Sequence, residues 1–307
     1  MVKVTIVGGA GGVGASTAFN LVLMRGGEEI VLVDARPEMI TSHVMDFEQV
    51  LELSPGCTVR GGDESDLGDA DVVVLLSATP LTVGTSRLEY LARNAGIADE
   101  LADVLETGWP GVVVVVTNPV DPLVTRLQQR TRLDRRRVLG YTLNDSLRLR
   151  TGLAKALGVP AGTVDAWVLG EHGDLSVPLF GRIDVGGTRA RPTAEQAARA
   201  EGLLRTWYVR HVALDSGRSS TWTSGLGVAR MVSALAGGGG LWPASVVLDG
   251  EYGIAGVAVT VPVTIGPGGA VAIHEWDLEP GDLAALRASA ELVRAAVESV
   301  DGGAGSA

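Results

Sequence analysis

Val4-Thr5-Ile6-Val7-Gly8-Gly9-Ala10-Gly11-Gly12-Val13-Gly14 decides the architecture of this chain. An apolar, β-prone run passes directly into glycines spaced Gly9-x-Gly11-x-x-Gly14, and an amphipathic stretch at residues 13–25 follows. Each glycine has its own physical use. Gly9 makes a tight turn, Gly11 lets the backbone approach a pyrophosphate, and Gly14 allows the helix to pack closely on the strand. The opening turn of such a helix presents free N–H groups to phosphate oxygens. Asp34 closes the next apolar run, Ile30-Val31-Leu32-Val33, twenty residues after Gly14. A carboxylate there hydrogen-bonds ribose hydroxyls and repels a 2′-phosphate, so the pattern reads as a site for NAD. Arg36, two residues on, leaves NADP open. A glycine-rich turn alone is a weak sign, and an acid alone is an ordinary cap. The strand, the spacing and the acid in register make a strong one.

Outward from that turn, short apolar runs alternate with longer amphipathic ones. Residues 2–7, 30–33, 72–76 and 112–116 are rich in Val and Ile and apolar on both faces, as strands of a helix-covered parallel sheet are. Helical segments at 13–25, 39–50 and 88–106 lie between them, giving a doubly wound α/β unit. The second half reads as α+β. Helices are expected at 146–157, 194–212, 226–235 and 282–300. A strand is expected at 164–168, and antiparallel strands at 246–248, 256–263 and 270–273. Residues 237–240 read as a flexible loop and 302–307 as a frayed tail. The boundary falls near residues 140–146, dividing the chain into 1–142 and 143–307.

The 307 residues carry a net charge of −11 with no basic cluster, which argues against nucleic acid as a partner. Arg135-Arg136-Arg137 reads as a solvated helix end. With so acidic a chain, an anionic substrate must be held by local arginines. Cys57 is the single cysteine, so no disulfide closes within the chain, as suits a reducing cytoplasm. The N-terminus runs straight into a strand without the pattern of a signal peptide, and no apolar run reaches membrane-spanning length. No His, Cys and carboxylate cluster has metal-ligand spacing.

Val168-Leu169-Gly170-Glu171-His172-Gly173-Asp174 places one of only four histidines between acids and small residues. Imidazole both takes and gives a proton near neutral pH. Read alone, His172 is as easily a structural histidine in a glycine turn. The rest of the chain supplies companions for hydride transfer at a 2-hydroxy acid. Asp145 would orient the ring and stabilise the imidazolium, and Arg148, three residues later on the same helix face, suits two-point grip of a carboxylate. Their plainer reading is a helix cap and a surface arginine. Arg87 follows the loop-like stretch at 80–86 and would polarise a carbonyl as the loop excludes water; otherwise it is a solvated helix start. Asn118, after the fourth of these runs, faces the expected ligand edge and would meet the nicotinamide ribose or a substrate oxygen; otherwise it is a turn before Pro119.

Taken together, Gly9–Gly14, Gly84-Thr85-Ser86-Arg87, Arg93-Asn94-Ala95-Gly96-Ile97, Asn118-Pro119-Val120-Asp121, Asp145-Ser146-Leu147-Arg148, Gly170–Asp174, Gly250-Glu251-Tyr252-Gly253 and Val261-Pro262 resemble the lactate/malate dehydrogenase family along nearly the whole chain. The resemblance implies a Rossmann NAD domain followed by an α+β substrate domain. It also implies a His172–Asp145 proton relay, Arg148 as carboxylate clamp, Arg87 as loop arginine, and a homodimer or homotetramer. It puts Ser220 near a substrate-contacting position.

Two departures matter. Malate dehydrogenases carry an extra arginine near the start of the substrate loop, and lactate dehydrogenases usually glutamine; counting back from Arg87, this chain has Leu81, with no charge from Ser77 to Ser86. A second carboxylate left unpaired there would cost several kcal/mol. The expected substrate is therefore a 2-oxo acid with an apolar or neutral side group. The alternative is a malate dehydrogenase whose second carboxylate meets a cation elsewhere, with Arg218 beside Ser219-Ser220 as candidate. Asn144 also precedes Asp145 where the family usually has Leu. Two readings of other classes stand beside these. One is a non-catalytic NAD-binding protein, which the joint presence of His172, Asp145, Arg148 and Arg87 argues against. The other is a metal-dependent NAD-requiring glycosidase, for which metal-ligand spacing is missing.

Overall fold

The computed structural model describes residues 2–79, 87–105 and 108–303, with backbone alone for residues 87, 88 and 301–303. β1 (Lys3–Val7) leads to α1 (Gly12–Met24), β2 (Glu29–Val33), α2 (Pro37–Leu53) and β3 (Thr58–Gly61). β4 (Val72–Leu75), α3 (Arg87–Val104), β5 (Val112–Val115), α4 (Val120–Thr131) and β6 (Val138–Tyr141) follow. These strands lie parallel in the order β3-β2-β1-β4-β5-β6. This is the Rossmann arrangement. Its order reverses between β1 and β4, and the carboxyl ends of the strands there open a ligand crevice. Every residue of β4 and β5 is buried, so their Val runs need no alternation.

The chain continues through α5 (Leu143–Leu157), β7 (Val164–Asp165), β8 (Val168–Gly170) and β9 (Ser176–Pro178). Then come β10 (Ile183–Val185), β11 (Thr188–Ala190), α6 (Ala194–Val212) and α7 (Thr221–Ser233). β12 (Gly240–Asp249), β13 (Ala255–Gly266), β14 (Gly269–Ile273) and α8 (Pro280–Gly303) close it. The late antiparallel strands β12, β13 and β14 do not form a sheet of their own. β12 pairs antiparallel with β6, Ser245 opposite Gly140, so one sheet runs through both halves of the chain. Gly140 permits this junction: a side chain there would meet Ser245 Cβ at 2.7 Å.

Several expectations need correction. The strand expected at 164–168 is two strands in two sheets: β7 joins β10 and β11, while β8 pairs with β13. Residues 237–240 are not simply a loop; Ala234–Gly238 forms one wide helical turn, and β12 begins at Gly240. Arg135 is not merely solvated, for it donates to the Val247 carbonyl at 2.9 Å and pairs with Glu251 at 2.8 Å. Both β3 and β6 escape the apolar pattern. β3 is an edge strand with only Val59 buried, and β6 is four residues long with glycine inside it.

Candidate active site

At the glycine turn after β1, backbone makes the shape. The N–H groups of Gly8 and Gly9 donate to the Val33 carbonyl at 2.8 and 3.0 Å, and Gly11 N–H donates to the Gly8 carbonyl at 3.1 Å. A side chain on Gly14 would run into that same Gly8 carbonyl. No side chain caps α1, leaving its first turn facing the crevice. Asp34 Oδ2 accepts from Ala10 N–H at 3.1 Å, and Oδ1 accepts from the exposed Arg36 at 3.0 Å. This cradle, with its uncapped helix start and an acid at the end of β2, fits an adenosine pyrophosphate. Asn118 lies at the carboxyl end of β5 with its side chain exposed.

Across the crevice, side chains make the site. Gly170 ends β8 with φ +85°, a conformation that favours glycine, and so turns the chain toward His172. His172 Nδ1 lies 2.6 Å from Asp145 Oδ2. Arg148, one turn along α5, donates Nη1 to the other oxygen, Asp145 Oδ1, at 3.0 Å. One carboxylate therefore orients both the ring and the guanidinium. Nε2 of His172 carries no protein partner among the described residues. Burial alone would raise the Asp145 pKa, but the His172 ring and Arg148 outweigh it and hold the carboxyl below its ordinary range. Burial alone would lower the His172 pKa, but Asp145, with help from Asp121, holds it above the ordinary imidazole value.

Asp121 is a supporting group that sequence reasoning left without a role. It sits in the first turn of α4 and is 1% exposed. Its Oδ2 accepts the backbone N–H of His172 at 2.6 Å and its Oδ1 accepts the Ser245 hydroxyl at 2.6 Å. Burial pushes its pKa up to about 6 against these two hydrogen bonds. Asp145 thus fixes the imidazole ring and Asp121 its backbone. Glu171, also buried, donates its N–H to the Ser289 hydroxyl, and its Oε2 accepts Leu175 N–H at 3.0 Å. Fully buried Asn94 joins the segments that follow β4 and β5, accepting Thr79 N–H at 2.8 Å and donating to the Asn118 carbonyl at 2.7 Å. Asn94 and Asp121 both lie inside motifs quoted above, and that was their only signal. The unusual Asn144 has a role as well. It accepts from the Tyr141 hydroxyl at 2.9 Å and donates to Ser224 Oγ at 2.9 Å, joining α5 to α7.

Ser220 stands at the start of α7, whose Thr221 hydroxyl would lie 3.4 Å from a side chain at Gly12. The start of α7 is thus wedged between the glycine turn and α5. Arg87 opens α3, though its side chain lies outside the described residues, and so does Leu81 altogether. The structure brings together His172, Asp145 and Arg148. It sets Gly9, Gly11, Gly14 and Asp34 around one turn.

Residues 2–140 match the profile of the lactate/malate dehydrogenase NAD binding domain, and residues 142–301 that of the alpha/beta C-terminal domain. A malate dehydrogenase of Halobacterium salinarum is 34% identical over 305 residues, covering 98% of this chain and 100% of that protein. An L-lactate dehydrogenase of Treponema denticola is 32% identical over 308 residues, covering 96% of each. The solved malate dehydrogenase from Aeropyrum pernix has a TM-score of 0.88 at 27% identity, covering 96% of this chain and 97% of that one.

Proposed function

Because the chain belongs to the lactate/malate dehydrogenase family, we propose that it interconverts a 2-hydroxy acid and a 2-oxo acid whose side group is apolar or neutral. Membership makes it an NAD-dependent oxidoreductase acting on CH–OH groups. Relatives with either substrate are about equally similar, so the choice of acid rests on this chain's own residues. In this reading residues 1–142 hold NAD and residues 143–307 carry the acid chemistry.

The observation that carries the reading is the His172–Asp145–Arg148 array, with both Asp145 oxygens engaged. Gly9, Gly11 and Gly14 would seat the pyrophosphate, and Asp34 would hold the adenosine ribose and favour NAD over NADP. Asn118 would meet the nicotinamide ribose. When bound, the nicotinamide supplies the hydride carrier. In oxidation, His172 Nε2 takes the hydroxyl proton; in reduction it returns that proton to the carbonyl oxygen. Asp145 accepts from Nδ1, fixes the tautomer and offsets the positive charge of the imidazolium. Arg148 holds the substrate carboxylate through two N–H donors, Arg87 polarises the carbonyl, and Leu81 and Ser220 border the side group. A narrower second reading draws on the Arg218 carbonyl, which lies 2.9 Å from His211 Nε2. That contact fixes the backbone beside Ser219-Ser220, and Arg218 would then meet a second carboxylate.

A panel of pyruvate, 2-oxobutyrate, 2-oxoisocaproate and oxaloacetate, followed by NADH absorbance, decides between them. A monocarboxylate should show the highest kcat/KM. Oxaloacetate ahead by a wide margin would overturn the Leu81 reading and favour Arg218.

The chain is also proposed to act as a homo-oligomer in the cytoplasm. An apolar groove of about 650 Å³ between α1, α2 and α7 is lined by Phe19, Phe47, Val50, Trp222 and Leu226. Trp222 is 70% exposed, a burden for a monomer. Light scattering should give a multiple of 31.7 kDa. Among the described residues no helix is long and apolar enough to cross a membrane.

A further inference from the structure

Arg148, assigned above to the substrate carboxylate, touches more than Asp145. Its guanidinium lies over the Trp207 ring, with Cζ 4.2 Å from the ring centroid. The same indole stacks with His211 one turn further along α6, at 4.9 Å between centroids and 13° between planes. His211 Nε2 is in turn 2.9 Å from the Arg218 carbonyl, on the connection that runs to Ser220. The packing that delivers Trp207 is written into the helices. Thr193 and Gln196 cap the start of α6 reciprocally. α6 then crosses α5 at Gly152, where a side chain would meet the Ala200 carbonyl oxygen at 2.8 Å. From that crossing α5 runs back one turn to Arg148, while α6 runs forward two turns to Trp207.

The single N–H···O bond from Arg148 to Asp145 leaves the guanidinium plane free to swing about that bond. A contact over its face removes the swing. The face of a guanidinium is weakly hydrated, so stacking costs little solvation and leaves the N–H edge exposed for a ligand. The choice of an aromatic also matters electrostatically. A second acid beside Arg148 would compete with the substrate carboxylate, whereas an indole orients the cation without neutralising it. We infer that Trp207 is a positioning residue for substrate binding: with His211 behind it, it sets the plane of Arg148 so that two N–H donors face the incoming carboxylate. This rests on the proposed role of Arg148.

The test uses the full chain with NADH and the preferred monocarboxylate of the panel. Trp207→Leu should raise KM for the 2-oxo acid about tenfold with kcat within about twofold, on the scale of one cation–π contact. Trp207→Phe should restore most of the loss, and KM for NADH and Tm should stay near wild type in both. His211→Ala should raise the same KM by about threefold, and it carries the test if Trp207→Leu does not fold. An unchanged 2-oxo acid KM in Trp207→Leu overturns the inference while the function stands. So does an equal loss in kcat and NADH binding that Phe does not rescue, for Trp207 would then only support α6. A wild-type chain that oxidises no NADH with any 2-oxo acid sinks the proposed function and this inference together.

Discussion

The turn after β1 and the hairpin after β8 are both rich in glycine, yet they are held by different means. The first is closed by backbone hydrogen bonds, Gly8 and Gly9 to the Val33 carbonyl, with the Asp34 side chain accepting from Ala10 N–H. The second is held from outside: His172 by Asp145 and Asp121, 27 and 51 positions away, and Glu171 by Ser289, 118 positions away. The glycine turn is a shape, sensitive to an added atom. The hairpin is an arrangement of charges, sensitive to a lost one.

The largest effect should follow from His172→Asn, which keeps size and polarity and removes the imidazole proposed to shuttle the proton. Reduction of the 2-oxo acid should fall about a thousandfold in kcat, with NADH binding retained. Comparable activity in this variant would return the hairpin to a structural role. Asp145→Asn should cost about a hundredfold and also displace the pH profile. Reduction needs the imidazolium, so its kcat/KM should decline only above a pH higher than the ordinary His value of 6.5, with oxidation rising through the same point. Without the Asp145 charge, burial and Arg148 prevail over Asp121, and both limbs should move to lower pH. The same signs govern stability. The His172 contribution is complete below its unfolded pKa and lost as pH rises through the raised folded one. That of Asp145 is complete above its unfolded pKa and lost as pH falls through the depressed folded one.

On the shape side, Gly14→Ala drives a methyl at the Gly8 carbonyl, which belongs to rigid backbone. It should cost about 1–3 kcal/mol, read as a lower Tm together with a higher KM for NADH. A neutral result would mean that the turn yields more easily than its bonding suggests. Asp34→Ala should have the smallest effect, about tenfold in NAD affinity with relaxed discrimination against NADP. Isothermal titration would show it, and an unchanged affinity would remove Asp34 from the ribose site.

The same contrast explains what could be read in the chain. The glycine turn, Asp34 and the Val runs of β4 and β5 are local patterns, and a short window contains their whole physics. Asp145, Arg148 and His172 were legible through their motifs, although only the fold brings them together. Asp121 was not legible. An acid soon after Asn-Pro reads as a helix cap, and its true partners, His172 N–H in the turn after β8 and Ser245 Oγ on β12, lie far along the chain. Trp207 looked like one apolar residue among many on an amphipathic helix. Its meaning depends on the α5–α6 crossing at Gly152. The join between β6 and β12 left no trace, because backbone pairing across a glycine has no sequence signature.

That join has a mechanical consequence. Ser245 pairs with Gly140 while its hydroxyl holds Asp121, and Thr125 of α4 accepts from Ala258 N–H at 2.9 Å. These bonds tie the two halves together through their interior, so that swinging one half against the other would first have to break them. Amide exchange should accordingly find β5, β6 and β12 protected to a similar degree, melting as one unit.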